Sequence, residues 1–220
     1  LGPACSDPSV LKRMIVAGVD VVRINFSHGT REQHIAFAEL TRSLAHSVGC
    51  TVGVLADLQG PKIRIGKFEQ GKIWLNVGDE FILDANCQLG NKERIGLDYK
   101  ELPNDVEEGV ILLLDDGRIV LSVNRVKGSE IFCEVVQGGP LSNNKGINRK
   151  GGGLSAPALT SKDIEDIKIA ADLKADYLAV SFPRSGEDIR LARSLMQEAG
   201  GNSLIMAKIE RTEAILALDD

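Results

Sequence analysis

The chain has 220 residues, 43% of them hydrophobic and 26% charged, the make-up of a globular protein with one large domain or two smaller ones. Its net charge of -5 excludes a basic nucleic-acid footprint, so any anionic ligand must be met by local cations. Four widely spaced cysteines (Cys5, Cys50, Cys87, Cys133) without a CxxC pair point to free thiols in a reducing cytosol; no signal peptide is expected, and no apolar run here is of membrane length.

Residues 7–17 (DPSVLKRMIVA) predict a helix capped by Ser6 or Asp7, with Pro8 in its first turn and Gly18 at its end. Residues 19–26 (VDVVRINF) predict a strand, and 31–48 a helix closed by Gly49. A second, nearly continuous apolar strand follows at 51–58. Buried strands alternating with helices are the pattern of a parallel sheet. From about 63 to 150 the pattern changes to short strands separated by turn residues: KIWLNV, EFILDA, GVILLL, GRIVLSV and SEIFCEVV. That predicts an all-β insert, a small barrel or sandwich. The Gly-rich segment 148–158 predicts a flexible return. Helices at 160–175 (capped by Thr160 or Ser161) and 185–200 then alternate with strands at 176–182 and 203–210. Residues 212–220 open another helix. The absence of an initiating Met and the stop inside a predicted helix lead us to expect a piece of a longer protein.

A doubly wound sheet and a (β/α)8 barrel both fit this order. No GxGxxG follows a strand, which weakens a dinucleotide-binding version. Three strands end in polar residues (RINFSH, LADLQ, AKIE), where barrel enzymes carry their chemistry. Strand alternation puts Arg23, Asn25 and Ser27 on one face and Val22, Ile24 and Phe26 on the other. A guanidinium suits phosphate, and the Asn and Ser oxygens suit a cation. Lys208 and Glu210 likewise share a face, as a cation for a developing enolate and a ligand for Mg²⁺, or equally as a structural ion pair. Taken alone, Asp57 reads as a cation ligand or, more readily, a cap for the following turn, Lys62 and Arg64 as a solvated basic face more than a nucleotide contact, His28 as a hydrogen-bonding or substrate-binding residue, and Lys145 as a surface turn residue.

Taken together, RINFSHG, DLQGPKIR, LLLDDG, GGPLSNNKGIN, DYLAVSFPR and AKIE stand in an order and spacing that resembles the pyruvate kinase family over essentially the whole chain. The likeness is closest to the bacterial type whose third-strand motif reads Asp-Leu-Gln-Gly-Pro-Lys. The resemblance implies an α/β fold: a partial (β/α)8 TIM barrel (the A domain) interrupted by an all-β barrel domain (the B domain) that closes as a lid. Residues 1–61 would be the first part of the A domain, 62–155 the B domain, and 156–220 the continuation of the A domain. The chain would begin at the end of the first barrel strand and stop after the fifth.

The implied reaction is phosphoryl transfer from phosphoenolpyruvate to ADP, giving pyruvate and ATP in cytoplasmic glycolysis, by an allosteric homotetramer with no nucleic-acid or membrane partner. By motif, Arg23 resembles the phosphate-binding arginine and Lys208 the residue that stabilises the transition state. Glu210 resembles one ligand of Mg²⁺ (or Mn²⁺), the second lying beyond Asp220. Asn25, Ser27, Asp57 and the Leu58 carbonyl resemble the monovalent-cation site. Asn25, Phe26, Ser27 and His28 lie along the nucleotide-phosphate contacts, and Arg64 and Lys145 resemble nucleotide-binding residues. Gln59 and Lys62 stand where many members have Lys and Glu, so the Lys62 ammonium is expected to substitute in part for K⁺. With half a barrel and one metal ligand missing, the segment by itself is expected to be inactive. An aldolase-type lyase acting on phosphoenolpyruvate or pyruvate would not need the β insert. An oligonucleotide-binding insert would need more aromatics and fewer acids than this one has.

Overall fold

A computed structural model describes residues 1–220. The chain opens with α1 (Pro8–Val16), β1 (Val21–Asn25), α2 (Arg31–Ser47) and β2 (Gly53–Asp57). Ten strands follow: β3 (Lys67–Phe68), β4 (Lys72–Leu75), β5 (Glu80–Asp84), β6 (Leu89–Gly90), β7 (Arg94–Gly96), β8 (Ile111–Leu114), β9 (Ile119–Lys127), β10 (Glu130–Gln137), β11 (Gly139–Ser142) and β12 (Ile147–Arg149). The chain ends with α3 (Ser161–Asp172), β13 (Tyr177–Val180), α4 (Gly186–Glu198), β14 (Leu204–Ala207) and α5 (Thr212–Leu216). These elements form two compact units, residues 1–61 with 157–220, and residues 62–156.

The first unit is α/β. Its four strands are all parallel, in the order β1-β2-β13-β14, so spatial order follows chain order without reversal. Val22, Ile24, Val54, Ala56, Leu178 and Val180 bury one set of strand positions against Leu11, Ile15, Ala38, Ile167 and Met196 of the helices. Fully burying such a side chain stabilises by about 1.5–3 kcal/mol, which sets which face of each strand turns inward. The helices start where their caps dictate. Asp7, not Ser6, caps α1 by accepting the Ser9 N–H at 2.8 Å. Thr30 with Gln33, and Thr160 with Asp163, form reciprocal capping boxes on α2 and α3.

The second unit is built on a six-stranded sheet, β12-β8-β9-β10-β5-β7, antiparallel except for the parallel β5–β7 pair. Two short pairs, β4–β11 and β3–β6, complete it. Phe81, Leu83, Ile95, Leu112, Leu121 and Ile131 form its core. Arg94 joins Asp84 at 3.1 Å and Glu130 at 3.0 Å across neighbouring strands. All four cysteines are free, and burial pushes the Cys133 thiol up to about 12, leaving it unreactive at neutral pH.

Three expectations need correction. The segment expected to be a flexible return begins as β12, paired with β8, and Arg149 Nη1 donates to the Asp105 carbonyl at 2.9 Å. Ala156, expected with the second part of the α/β unit, is buried in the core of the insert. Ser27 is not on β1, which ends at Asn25; the chain turns there because Asn25 Oδ1 accepts the Ser27 N–H at 3.0 Å. No helix is long and apolar enough to cross a membrane.

His34 of α2 is buried and its ring stacks on Phe26 at 4.3 Å. Burial lowers its pKa, nearby Asp166 opposes that shift, and Lys162 adds to it. In the unfolded chain the imidazole returns to its ordinary 6.5 and binds the proton that the folded ring resists. Stability contributed at this site is therefore present above pH 6.5 and is lost as pH falls below it. We expect the thermal midpoint of the full-length protein to fall less steeply below that pH in His34→Phe, which keeps the stacked ring; parallel pH curves for parent and variant would contradict this.

Candidate active site

The parallel ladder of the first unit continues one residue past β1, β2 and β14. The Phe26 N–H donates to the Asp57 carbonyl, Leu58 N–H to Ala179, and Lys208 N–H to Val180, each at 3.0 Å. These bonds hold the C-terminal strand ends side by side, and a row of polar side chains runs across them. Arg23 of β1 donates through Nε to Asp57 Oδ2 at 2.6 Å. Lys208, just after β14, donates to Asp57 Oδ1 at 3.2 Å and to Ser181 Oγ at 2.8 Å. Ser181, just after β13, donates in turn to the Leu58 carbonyl at 2.6 Å. Glu210 Oε1 lies 3.5 Å from Lys208 Nζ, and Oε2 accepts the Phe182 N–H at 3.2 Å.

Asp57 is central to this row. Its side chain is 3% exposed, while Arg23 is 58% and Lys208 30% exposed. A buried carboxylate needs compensating charge, and the two cations supply it. They in turn are held side by side, which their mutual repulsion would otherwise prevent. The cap expected for Asp57 is thus replaced by a two-cation bridge. Asn25 is the ladder partner of Asp57, which sets the amide beside the carboxylate.

The turn after β1 carries Phe26, Ser27 and His28. The Phe26 ring is buried, its N–H is taken by Asp57 and its carbonyl by Lys162 Nζ at 2.7 Å, leaving the exposed contacts of this turn to Ser27 and His28. The turn after β2 depends on Gly60, whose φ of +64° suits glycine. A Cβ there would sit 2.9 Å from Ser181. The Gly60 N–H donates to buried Asp163 Oδ1 at 3.0 Å. Phe182 is also left-handed, at φ 57°, the backbone geometry in which its N–H meets Glu210.

The structure thus brings together Arg23, Asn25, Asp57, Leu58, Lys208 and Glu210. Lys62, Arg64 and Lys145 belong to the insert. There Lys145 Nζ pairs with Asp115 Oδ1 at 2.8 Å, Arg64 Nη1 donates to the Asn144 carbonyl at 2.9 Å, and Lys62 is exposed. Sequence reasoning missed Ser181, Lys162 and Asp163. Only Ser181 had a signal, a hydroxyl directly after the apolar strand YLAV. No group of three or more His, Cys, Asp or Glu gathers as a ready metal cage.

A parallel sheet with a cation pair and carboxylates gathered at its strand ends makes this an α/β protein whose charged groups meet where such folds commonly carry their sites. The family model "Pyruvate kinase, barrel domain" matches residues 1–220, and the chain belongs to the pyruvate kinase family. It is 56% identical to the pyruvate kinase of Haemophilus influenzae and 55% identical to pyruvate kinase II of Salmonella typhimurium, each over 225 aligned residues. Each match covers 100% of this chain and 47% of the relative. The pyruvate kinase of Buchnera aphidicola subsp. Schizaphis graminum is 52% identical over 217 residues, covering 45% of that protein. The chain spans about half the length of the curated relatives it matches.

Gly60→Ala is expected to destabilise the full-length protein by about 1–3 kcal/mol, because the new Cβ is both strained and in contact with Ser181. Denaturant unfolding reads this directly. An unchanged midpoint would show that the turn relaxes at no cost.

Proposed function

We propose that the full-length protein carrying this chain transfers the phosphoryl group of phosphoenolpyruvate to ADP, giving pyruvate and ATP. The observation that carries this reading is Lys208, held between Asp57 and Ser181 in line with Arg23. A phosphoryl group in transfer spreads negative charge over its oxygens, so catalysis is chiefly positioning and neutralisation. Arg23 would bind the phosphate. Lys208 would face the charge that develops on the enolate oxygen when the P–O bond breaks. Asp57 aims both cations, and the hydroxyl of Ser181 steadies Lys208.

The four parallel strands in unreversed order support a partial (β/α)8 barrel, formed by residues 1–61 and 157–220 and interrupted by a lid domain at 62–156. On the insert, Arg64 and Lys145 would meet the nucleotide, with Ser27 and His28 contributing from the turn after β1. Glu210 offers one carboxylate to a divalent cation, Mg²⁺ or Mn²⁺, and that partial fit agrees with the small number of ligands seen here. When bound, such an ion supplies charge neutralisation at the phosphoryl and enolate oxygens. Asn25, Ser27, Asp57 and the Leu58 carbonyl would offer hard oxygens to K⁺, a reading that the adjacent ladder positions of Asn25 and Asp57 favour. Lys62 would supply part of that positive charge. We further place the whole protein in the cytoplasm as a homotetramer.

Two measurements test this. The full-length protein should form ATP from phosphoenolpyruvate, ADP and Mg²⁺, and Lys208→Met should lower kcat by roughly 10²–10³-fold, the scale of losing one charge-stabilising donor. No ATP from the parent, or a fully active Lys208→Met, would overturn the assignment. Replacing K⁺ by tetramethylammonium should leave activity largely intact; a strict K⁺ requirement would refute the part given to Lys62.

A further inference from the structure

The turn after β1 is held from α3 as well as from its own strand. Lys162, in the first turn of α3, donates to the Phe26 carbonyl at 2.7 Å and also pairs with Asp166. Asp166 is buried, while Lys162 is half exposed. The neighbouring Asp163 holds the Gly60 N–H on the turn after β2. Two consecutive residues of one helix turn therefore grip the chain just past two of the strands that carry the site.

The grip on Phe26 has a specific geometric effect. A peptide unit is planar, so the Phe26 carbonyl and the Ser27 N–H point in opposite directions within one rigid plane. Lys162 holds the oxygen end. Asn25 Oδ1 accepts the hydrogen end at 3.0 Å. The orientation of that plane therefore sets where the Asn25 amide and the Ser27 hydroxyl stand. The ring of Phe26 is clamped separately against His34, so the plane has little freedom once its carbonyl is held. The pair compensates the buried Asp166 carboxylate, but that alone does not require Lys162 to reach the turn after β1 as well. The bond to the Phe26 carbonyl gives this cation a second task, separable from the first by substituting Asp166.

We propose that Lys162 is a positioning residue of this site, fixing the Phe26–Ser27 peptide plane and through it the Asn25 amide and Ser27 hydroxyl toward the phosphates of a nucleoside diphosphate. This rests on the phosphoryl-transfer function proposed above. The test uses full-length parent, Lys162→Met and Asp166→Asn, with phosphoenolpyruvate, ADP and Mg²⁺. Lys162→Met should raise KM for ADP by about tenfold, within the range that small misplacements of binding groups produce, and leave KM for phosphoenolpyruvate nearly unchanged. Asp166→Asn removes the charge pair but not the bond to Phe26, so its KM for ADP should stay near the parental value. A parent that forms no ATP would overturn the functional assignment and this inference with it. An active parent with an unchanged Lys162→Met would overturn the inference alone. So would an Asp166→Asn variant that matches Lys162→Met, because the ion pair would then carry the effect. Should Lys162→Met fail to fold, Lys162→Gln replaces it, and failure of both would make the residue a stability element and overturn the inference.

Discussion

A single buried carboxylate, that of Asp57, organises the first unit of this protein. Arg23 and Lys208 come from opposite edges of a four-stranded sheet, and neither would rest beside the other without negative charge between them. Asp57 supplies that charge from the strand between, and burial makes the arrangement sensitive to the loss of any member. Ser181 closes the remaining gap by giving its hydrogen to Leu58 and its lone pair to Lys208. The row Arg23–Asp57–Ser181–Lys208 thus crosses all four strands in their spatial order.

This row needs strand ends in register and turns that do not drift. Register comes from ladder bonds that run one residue past β1, β2 and β14. Turn geometry comes from elsewhere: from Gly60, which alone fits against Ser181, and from the first turn of α3, whose Lys162 and Asp163 reach the turns after β1 and β2. The helix is therefore more than a cover for the apolar face of the sheet. Its capping box sets where it begins, and that start sets where these two side chains point.

The insert follows a different logic. Its stability comes from a core of strand residues such as Phe81, Leu112 and Ile131, with cross-strand charges such as Arg94 with Asp84 and Glu130 at its surface. Lys145 follows a tight turn and is paired with Asp115 rather than held at the end of a buried parallel strand.

Much of this was legible from sequence because it is local. The caps at Asp7 and Thr160, the apolar alternation of Val22 and Ile24, and the two-residue spacing of Lys208 and Glu210 depend on neighbours a few positions away. The short strands β3, β6 and β7 were not legible, since two or three residues carry no period. The expected placement of Ser27 on β1 failed because a side chain, Asn25, competed successfully for its N–H. The role of Asp57 was beyond any local reading: the lysine it holds is 151 residues away, and a lone Asp before a turn looks like a cap. Sequence by itself determined which charged residue types this protein has, which of them follow apolar strands, and where the helices between those strands begin. Only tertiary structure decided which of those charges neighbour one another, because charge compensation at a buried carboxylate depends on distances through space and not on spacing along the chain.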